Sequence, residues 1–537
     1  MKSNGLSFHH PLAFWFGCCA LVAGVLAHVP MFLMAAANGY RMAGMPMDTT
    51  MLIGMALIPT GLLLAAYGLM PRLAQMQNKA RGALTFHIAD GASLNREHWK
   101  LVIVLVVALA VDVMKPATLG FVMPGLGREY EISKQTAAWL ALVALTGTAL
   151  GSIAWGRIAD VFGRRAAILL SALMFMGTAI CGAMPSFGWN LAMCFLMGAS
   201  AGGLLPITFT LMAEMVPTRH RGWLLVTLGG VGTSAGYLLA AGSAALLEPL
   251  FSWRSLWLLG LPTGAIIVFL DRFIPESPRF LVRAGLEQQA RAVLAKFSGQ
   301  TDRAATDEDH SPADDKLHAN GSFRQLLHGP HALITFGLIA SGVAWGLVNF
   351  GFLLWLPSNL GSMGMDAGAA SSLLARSAVI ALPGILIVTW LYQAWSSIKA
   401  LVLFILLTAA SLLAFFVLAS VGGMTATVIV VITATLLISA SGVIAMLIPY
   451  AAEIYPVHLR GTGSGVIAAS SKFGGILGAI GGVVGVSNNL AMSAALIALP
   501  MALAAVMLMR SGIDTRGRNL EEIQDDVLNR GALAIED

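Results

Sequence analysis

The sequence predicts an all-α bundle of about fourteen membrane-spanning helices, twelve of them in two related sets of six, on three observations. Hydrophobic residues make up 57% of the 537 positions and charged residues 11%, against roughly 45–50% and 25% in an ordinary soluble domain. The charges fall in short clusters between apolar runs of about 20 residues, the length that crosses a bilayer as a helix. A nine-residue pattern also recurs half a chain apart. The net charge of +5 is spread between the spans and forms no single basic face, which argues against a nucleic-acid partner. The 4 cysteines lie in apolar segments without metal-type spacing, so neither a disulfide framework nor a zinc site is expected. No nucleophile with its base, nucleotide loop or metal cluster points to an enzyme, and no cofactor is expected.

The elements follow in order. The amino end reads Met-Lys-Ser and runs into an apolar stretch too long for a signal-peptide core and without a clear A-x-A site, so it is read as a helix. It spans 12–37, and a second helix spans 50–70. After a polar link come six spans, at 101–123, 136–155, 166–184, 191–212, 223–247 and 256–273. The last six are 332–356, 370–391, 400–420, 425–450, 462–484 and 490–509. The expected divisions are therefore an extra pair with its link (1–98), a first half (99–273), a connector (274–331), a second half (332–511) and a tail (512–537). The connector carries Asp307, Glu308, Asp309, Asp314 and Asp315 and reads as a solvated segment.

Lys and Arg set the orientation. Arg157, Arg164 and Arg165, then Arg219 and Arg221, then Lys399, Arg460 and the tail from Arg510 fall in alternate loops, with Arg72, Lys79, Arg81, Arg96 and Lys100 before the first core helix. The opposite side keeps only Arg41, Arg128, Lys134 and Arg254. Both termini are expected in the cytoplasm and the chain in the cytoplasmic membrane, with the lipid bilayer as its surroundings.

After the fourth helix of the first six stands Glu214-Met-Val-Pro217-Thr-Arg-His-Arg221-Gly222, and after the fourth of the second six stands Glu453-Ile-Tyr-Pro456-Val-His-Leu-Arg460-Gly461. Both read E-x-x-P-x-x-x-R-G, in register with the helix count, which makes the halves homologous. Parallel halves of this kind are expected to enclose a small-molecule site near the midplane and to expose it to each side in turn.

These residues resemble the major facilitator superfamily. Gly156-Arg157-Ile-Ala-Asp160-Val-Phe-Gly163-Arg164-Arg165 is similar to its signature loop, and Pro275-Glu276-Ser277-Pro278-Arg279 to a sequence of sugar porters and organic ion transporters. The tail Asp514-Thr-Arg-Gly-Arg-Asn-Leu-Glu521-Glu522-Ile is similar to the sugar-porter carboxy-terminal signature. The resemblance runs from about Trp99 to Ile523 and leaves out the first two helices. The second signature loop is reduced to Tyr392-Gln-Ala-Trp-Ser-Ser-Ile-Lys399. Asp160, Arg164, Arg165, Glu214 and Arg221, with Glu453 and Arg460, are the expected inner gating charges; topology and folding are the alternative role.

Ionisable groups inside spans cost about 2.5–3.5 kcal/mol each at mid-bilayer, so each one is a candidate. Asp112 lies about 16 Å into the first core helix, and Lys115 stands at i+3 from it, where the two can pair. The stretch Asp112-Val-Met-Lys115-Pro-Ala-Thr-Leu-Gly120-Phe-Val-Met-Pro124 resembles the first-helix motif of aromatic-acid symporters, with Lys115 in place of its second Asp. Asp112 is thus the candidate proton carrier. Lys472 takes a similar depth in the second half, and the resemblance to organic anion transporters implies a basic residue near the substrate there. Arg376 would add positive charge, or snorkel to the interface. Lys115, Lys472 and Arg376 together suit a carboxylate. Trp345 and Asn349 on the seventh core helix and Tyr237 on the fifth would supply stacking and hydrogen bonds, or core packing.

The seventh core helix lacks the paired Gln of sugar porters and ends Trp355-Leu356-Pro357, as organic ion and aromatic-acid branches do. The fifth has Thr233 after Gly232, without the Gly-Pro of drug antiporters, which favours symport. The expectation is a proton-coupled symporter of a small organic anion. A sugar or polyol porter is the alternative. Copper uptake through His28, Met31, Met34, Met42, Met45, Met47, Met51 and Met55 and a sensor without transport are alternatives of another class.

Overall fold

The computed structural model describes residues 10–69, 93–298, 323–328, 331–516, Ile523 and Asp526. The acidic connector from Gly299 to Asn320 and most of the tail signature lie outside the described residues. Among the described residues the chain is helical throughout and has no strand. Fourteen helices are long and apolar enough to cross a membrane. We number them α1 (Pro11–Asn38), α2 (Thr49–Leu69), α3 (Arg96–Glu129), α4 (Lys134–Phe162), α5 (Arg164–Ala183), α6 (Phe187–Met215) and α7 (Arg219–Phe251). Then follow α8 (Ser255–Phe273), α9 (Ala332–Ser362), α10 (Ala367–Ala394), α11 (Ser397–Ser420), α12 (Ala426–Ile454), α13 (Thr462–Val484) and α14 (Leu490–Ser511). The chain is a polytopic integral membrane protein.

Several helices outrun their apolar runs because polar caps extend them. Asn95 starts α3 six residues before the predicted span: its side chain accepts from the Glu97 and His98 N–H groups, and the His98 ring returns a bond to the Asn95 N–H. The Asn95 amide also donates to the Lys296 and Phe297 carbonyls, so one residue caps α3 and closes the helix Glu287–Ser298 beside it. Ser186, Asp366, Ser396, Thr425 and Asn489 cap α6, α10, α11, α12 and α14 in the same way. The span predicted at 332–356 continues to Ser362 through a π-helical segment, Val348–Phe352, and a tight turn, Leu353–Trp355.

The described helices cluster into two compact units. One comprises Met1–Ile132, Val143–Arg221 and Leu246–Glu308; the other comprises Ser133–Leu142, Gly222–Ala245 and Asp309–Asp537. In the first unit, α1 and α2 cross so closely that a Cβ on Gly61 would overlap the Gly17 carbonyl, and one on Gly54 the Gly24 carbonyl. Without a hydrophobic drive inside lipid, such backbone approach is what makes two helices adhere. The pair lies against α5, where Ile58 fills the space over Gly177, and α5 is consequently almost wholly covered. In the second unit, α9 and α13 cross in the same close manner, Gly346 against the Ser471 carbonyl and Gly474 against the Val343 carbonyl.

Candidate functional site

Asp112 and Lys115 sit in the middle of α3, 4% and 1% exposed. The Lys115 Nζ donates to Asp112 Oδ1 at 3.2 Å and lies 4.1 Å above the centre of the Phe175 ring of α5. A carboxylate on one side and a π face on the other offset the desolvation of the ammonium. Pro116 has no N–H to give the Asp112 carbonyl four residues back, so the helix ladder is broken next to the pair. The sequence spacing placed both groups on one face; Phe175, on another helix, had no local signal.

In the second unit, Trp345 and Asn349 line up on α9 at the entrance to its π-helical segment. The Trp345 Nε1 donates to the Ala440 carbonyl at 2.8 Å, and the Asn349 amide donates to the Trp345 carbonyl at 3.2 Å. Gly346 between them packs on the Ser471 carbonyl, next in the chain to Lys472, so the backbones of α9 and α13 meet at the level of these residues. Lys472 is half-buried. Tyr237 is buried in the part of α7 that belongs to the second unit. Arg376 is exposed on α10.

The expected gating charges of the first unit meet around Arg164. Its guanidinium lies 3.3 Å from both Asp160 and Glu214, and it donates to the Ala159 carbonyl at 3.1 Å. Arg165 pairs in a fork with Asp271, Nε to Oδ1 at 2.6 Å. Glu276, a motif residue without a role in the sequence reading, ties these together: its carboxylate accepts from the Arg164 N–H at 2.7 Å, Arg165 N–H at 3.3 Å and Ser277 N–H at 3.0 Å. It thereby caps the N-terminus of α5. Gly163, with φ of 104°, is required here twice over, because a side chain would be strained and its Cβ would overlap Glu276. Burial pushes the Glu276 carboxyl up to about 7, against the pull of the three N–H groups. Arg221 is half-buried in the first unit.

In the second unit, hydroxyls do the corresponding work. Glu453 accepts from Tyr392 at 2.9 Å and from Thr515 at 2.6 Å, and Asp514 accepts from the Ser397 N–H and hydroxyl at 3.0 Å. The reduced signature loop thus reaches the end of α12 through Tyr392, while Ser397 binds Asp514 and Thr515 at the start of the tail. The side chain of Arg460 lies outside the described residues.

One buried cluster was not visible in the sequence. Arg254, completely buried, donates to Glu129 through Nε and Nη2, the latter at 2.7 Å, and to the Gly182 and Met184 carbonyls at 3.1 and 2.9 Å. Its guanidinium also lies over the Trp253 ring, 4.6 Å from its centre, and the Trp253 Nε1 donates to Glu129. Glu129 accepts in addition from the Met42 and Ala43 N–H groups at 2.8 and 3.0 Å, which bolts the loop between α1 and α2 to the end of α3. Arg254, an exception to the charge bias, is held by this pairing. His28, from the copper alternative, is buried, with Nδ1 2.9 Å from the Gly24 carbonyl. Among the described residues no group of three or more His, Cys, Asp or Glu is placed to hold a metal ion.

Comparison with known proteins agrees with this architecture. The family model of the Major Facilitator Superfamily matches residues 101–479. The niacin transporter NiaP of Acinetobacter baylyi is 27% identical over 81% of this chain and 98% of its own. The 4-hydroxybenzoate transporter PcaK of the same organism is 28% identical over 78% of this chain and 92% of its own. The proton:xylose symporter XylE, solved with 6-bromo-6-deoxy-D-glucose, superposes with a TM-score of 0.63 at 16% identity, covering 80% of this chain and 98% of that one; at this identity the likeness is one of fold.

Proposed function

The chain belongs to the Major Facilitator Superfamily, and from that membership we propose that it is a proton-coupled transporter of a small organic anion, an aromatic carboxylate in the first place. It works by alternating access in the cytoplasmic membrane, with both termini in the cytoplasm. The observation that carries this reading is the Asp112–Lys115 pair, sealed in the middle of α3. A carboxylate and an ammonium that neutralise each other can be parted by two ligands of matching charge, a proton for Asp112 and a carboxylate for Lys115. Lys472, in the middle of α13 next to the Ser471 carbonyl that packs on Gly346, is the second cation proposed to attract the anion. Arg376 is proposed as a further attracting charge, and Tyr237 as a packing or hydrogen-bonding wall. The names of the relatives, transporters of niacin and of 4-hydroxybenzoate, support a substrate with one carboxyl group on an aromatic ring.

The inner charges are proposed as the gate. Arg164 holds Asp160 and Glu214, and Arg165 holds Asp271. Glu276 fixes the helix end that carries both arginines, so the guanidinium positions depend on that cap. Arg221, Glu453 and Arg460 belong to the same proposal through the repeated motif.

The test is uptake by proteoliposomes holding the purified full chain, with radiolabelled niacin, 4-hydroxybenzoate, nicotinamide and xylose offered separately, with and without an acid exterior. Accumulation of the carboxylates under the acid exterior is expected. Uptake of xylose alone, or carboxylate uptake equal to that of protein-free vesicles, would overturn the reading.

A further inference from the structure

Lys134 begins α4 and Ser362 ends α9, so by helix count both stand on the side opposite the termini. Both belong to the second unit, which takes in Ser133–Leu142 from the first six core helices. The Lys134 Nζ donates to the Ser362 Oγ at 2.8 Å. Beside it, a Cβ on Gly485 just past α13 would come within 3.3 Å of the Gln135 amide nitrogen. The start of α4 is thus seated on the ends of α9 and α13.

Of the four basic residues expected on that side, Arg254 is neutralised by Glu129 at 2.7 Å, and Arg41 and Arg128 are exposed. Lys134 is half-buried, and among the described residues it forms no ion pair. Two carboxylates stand close in the chain, Glu131 before Lys134 and Asp366 after Ser362; both are exposed, and Asp366 accepts from the Gly368 N–H at the start of α10. The latch between α4 and α9 is therefore a cation held by a neutral oxygen.

We infer that Lys134 has two partners in turn, the Ser362 hydroxyl while this end of α4 is closed on α9 and the substrate carboxylate when it opens, so that the arriving anion undoes the latch. This rests on the function and topology proposed above and adds the place where the anion first meets the chain. Arg376, Lys115 and Lys472 remain the cations proposed further along. An ammonium–carboxylate bond carries charge on both sides, whereas the bond to Ser362 carries it on one, so the anion is the stronger acceptor. Release costs Ser362 little, because its hydroxyl keeps acceptors in its own helix, the Ser358 carbonyl at 3.0 Å and the Asn359 carbonyl at 3.1 Å. An unpaired charge also draws anions from beyond contact, over about 30 Å at 0.01 M ionic strength and about 8 Å at 0.15 M.

The experiment measures uptake of radiolabelled 4-hydroxybenzoate by the full chain in phosphatidylcholine vesicles under a fixed acid exterior, at about 0.01 M and about 0.15 M ionic strength. Each variant is compared at equal yield of monodisperse protein. Lys134→Gln should lower kcat/KM about fivefold at the lower ionic strength, through KM, and less than about twofold at the higher, since salt screens the charge that was removed. Lys134→Arg should restore the natural value. Ser362→Ala keeps the cation and removes its rival acceptor, so it should cause no loss. Equal losses in Lys134→Gln and Ser362→Ala, or a loss in Lys134→Gln that salt leaves unchanged, would mark a bond that merely holds helices together and would overturn the inference. A natural kcat/KM in Lys134→Gln at the lower ionic strength would overturn it as well. Absence of protein-dependent 4-hydroxybenzoate uptake by the natural chain overturns the proposed function instead.

Discussion

At the scale of single residues, the chemistry concentrates on a few ionisable groups that the lipid makes expensive. Asp112→Asn is expected to keep substrate exchange across the membrane and to lose accumulation against a gradient, measured as counterflow versus net uptake in the same vesicles. Undiminished accumulation would remove Asp112 as the coupling group. Lys472→Ala should lower uptake at least tenfold with insertion intact, as judged by the yield of monodisperse protein. Glu276 gives a pH dependence of another kind. Its carboxyl titrates near 7 in the folded protein and near the ordinary 4.5 when unfolded, so the folded state binds the proton more tightly. The stabilisation is complete below about pH 4.5 and is lost as pH rises through about 7, an effect on the order of 3 kcal/mol. Thermal midpoints should therefore fall between pH 5 and pH 8 in the natural protein, and Glu276→Gln should flatten that slope. The sequence displayed the Asp112–Lys115 spacing plainly, because both partners share one helix face. It gave no sign that Glu276 would cap α5, since that contact joins residues 112 apart in the chain.

At the scale of helices, periodicity and length were legible and the fit between helices was not. All fourteen spans could be read from apolar runs, because the bilayer imposes one length on each. Their true ends could not, since caps such as Asn95 are set by local hydrogen bonds outside the apolar stretch. The π-helical segment of α9 has no local signature in the sequence; Gly351 within it packs on Gly478 of α13 and Ile497 of α14. Gly474→Val is expected to be severely damaging, because the added side chain meets the Val343 backbone with nowhere to move. Loss of folded protein in detergent, seen as aggregation on size-exclusion chromatography, is the measure; a monodisperse, active variant would show that α9 and α13 can separate without harm. The helix pair α1 and α2 makes junctions with α5 and Glu129 and contributes none of the residues proposed for the substrate, the proton or the gate. Protein starting at Leu94 with a new initiating Met should therefore insert and transport, with a lower thermal midpoint and lower abundance.

At the scale of the whole molecule, the Lys and Arg bias predicts a topology that labelling can check. A cysteine replacing Met363 should react with an impermeant maleimide from outside intact cells, and one replacing Arg279 only after permeabilisation; the reverse pattern would invert the assignment. The repeated E-x-x-P-x-x-x-R-G pattern made the two halves visible in the sequence, because each copy occupies the same place in the helix count. The Glu129–Arg254 cluster stayed hidden, since its members come from four separate stretches of chain. That cluster bears on how freely the protein can change. Glu129 receives the loop between α1 and α2 through main-chain donors, which every residue type except proline supplies. The exposed position Ala43 is thus open to almost any amino acid, a chemical label or a short epitope, and closed to proline alone. A lineage could rewrite that loop for new surroundings, and an experimenter could tag it, without loosening its hold on the bundle beneath.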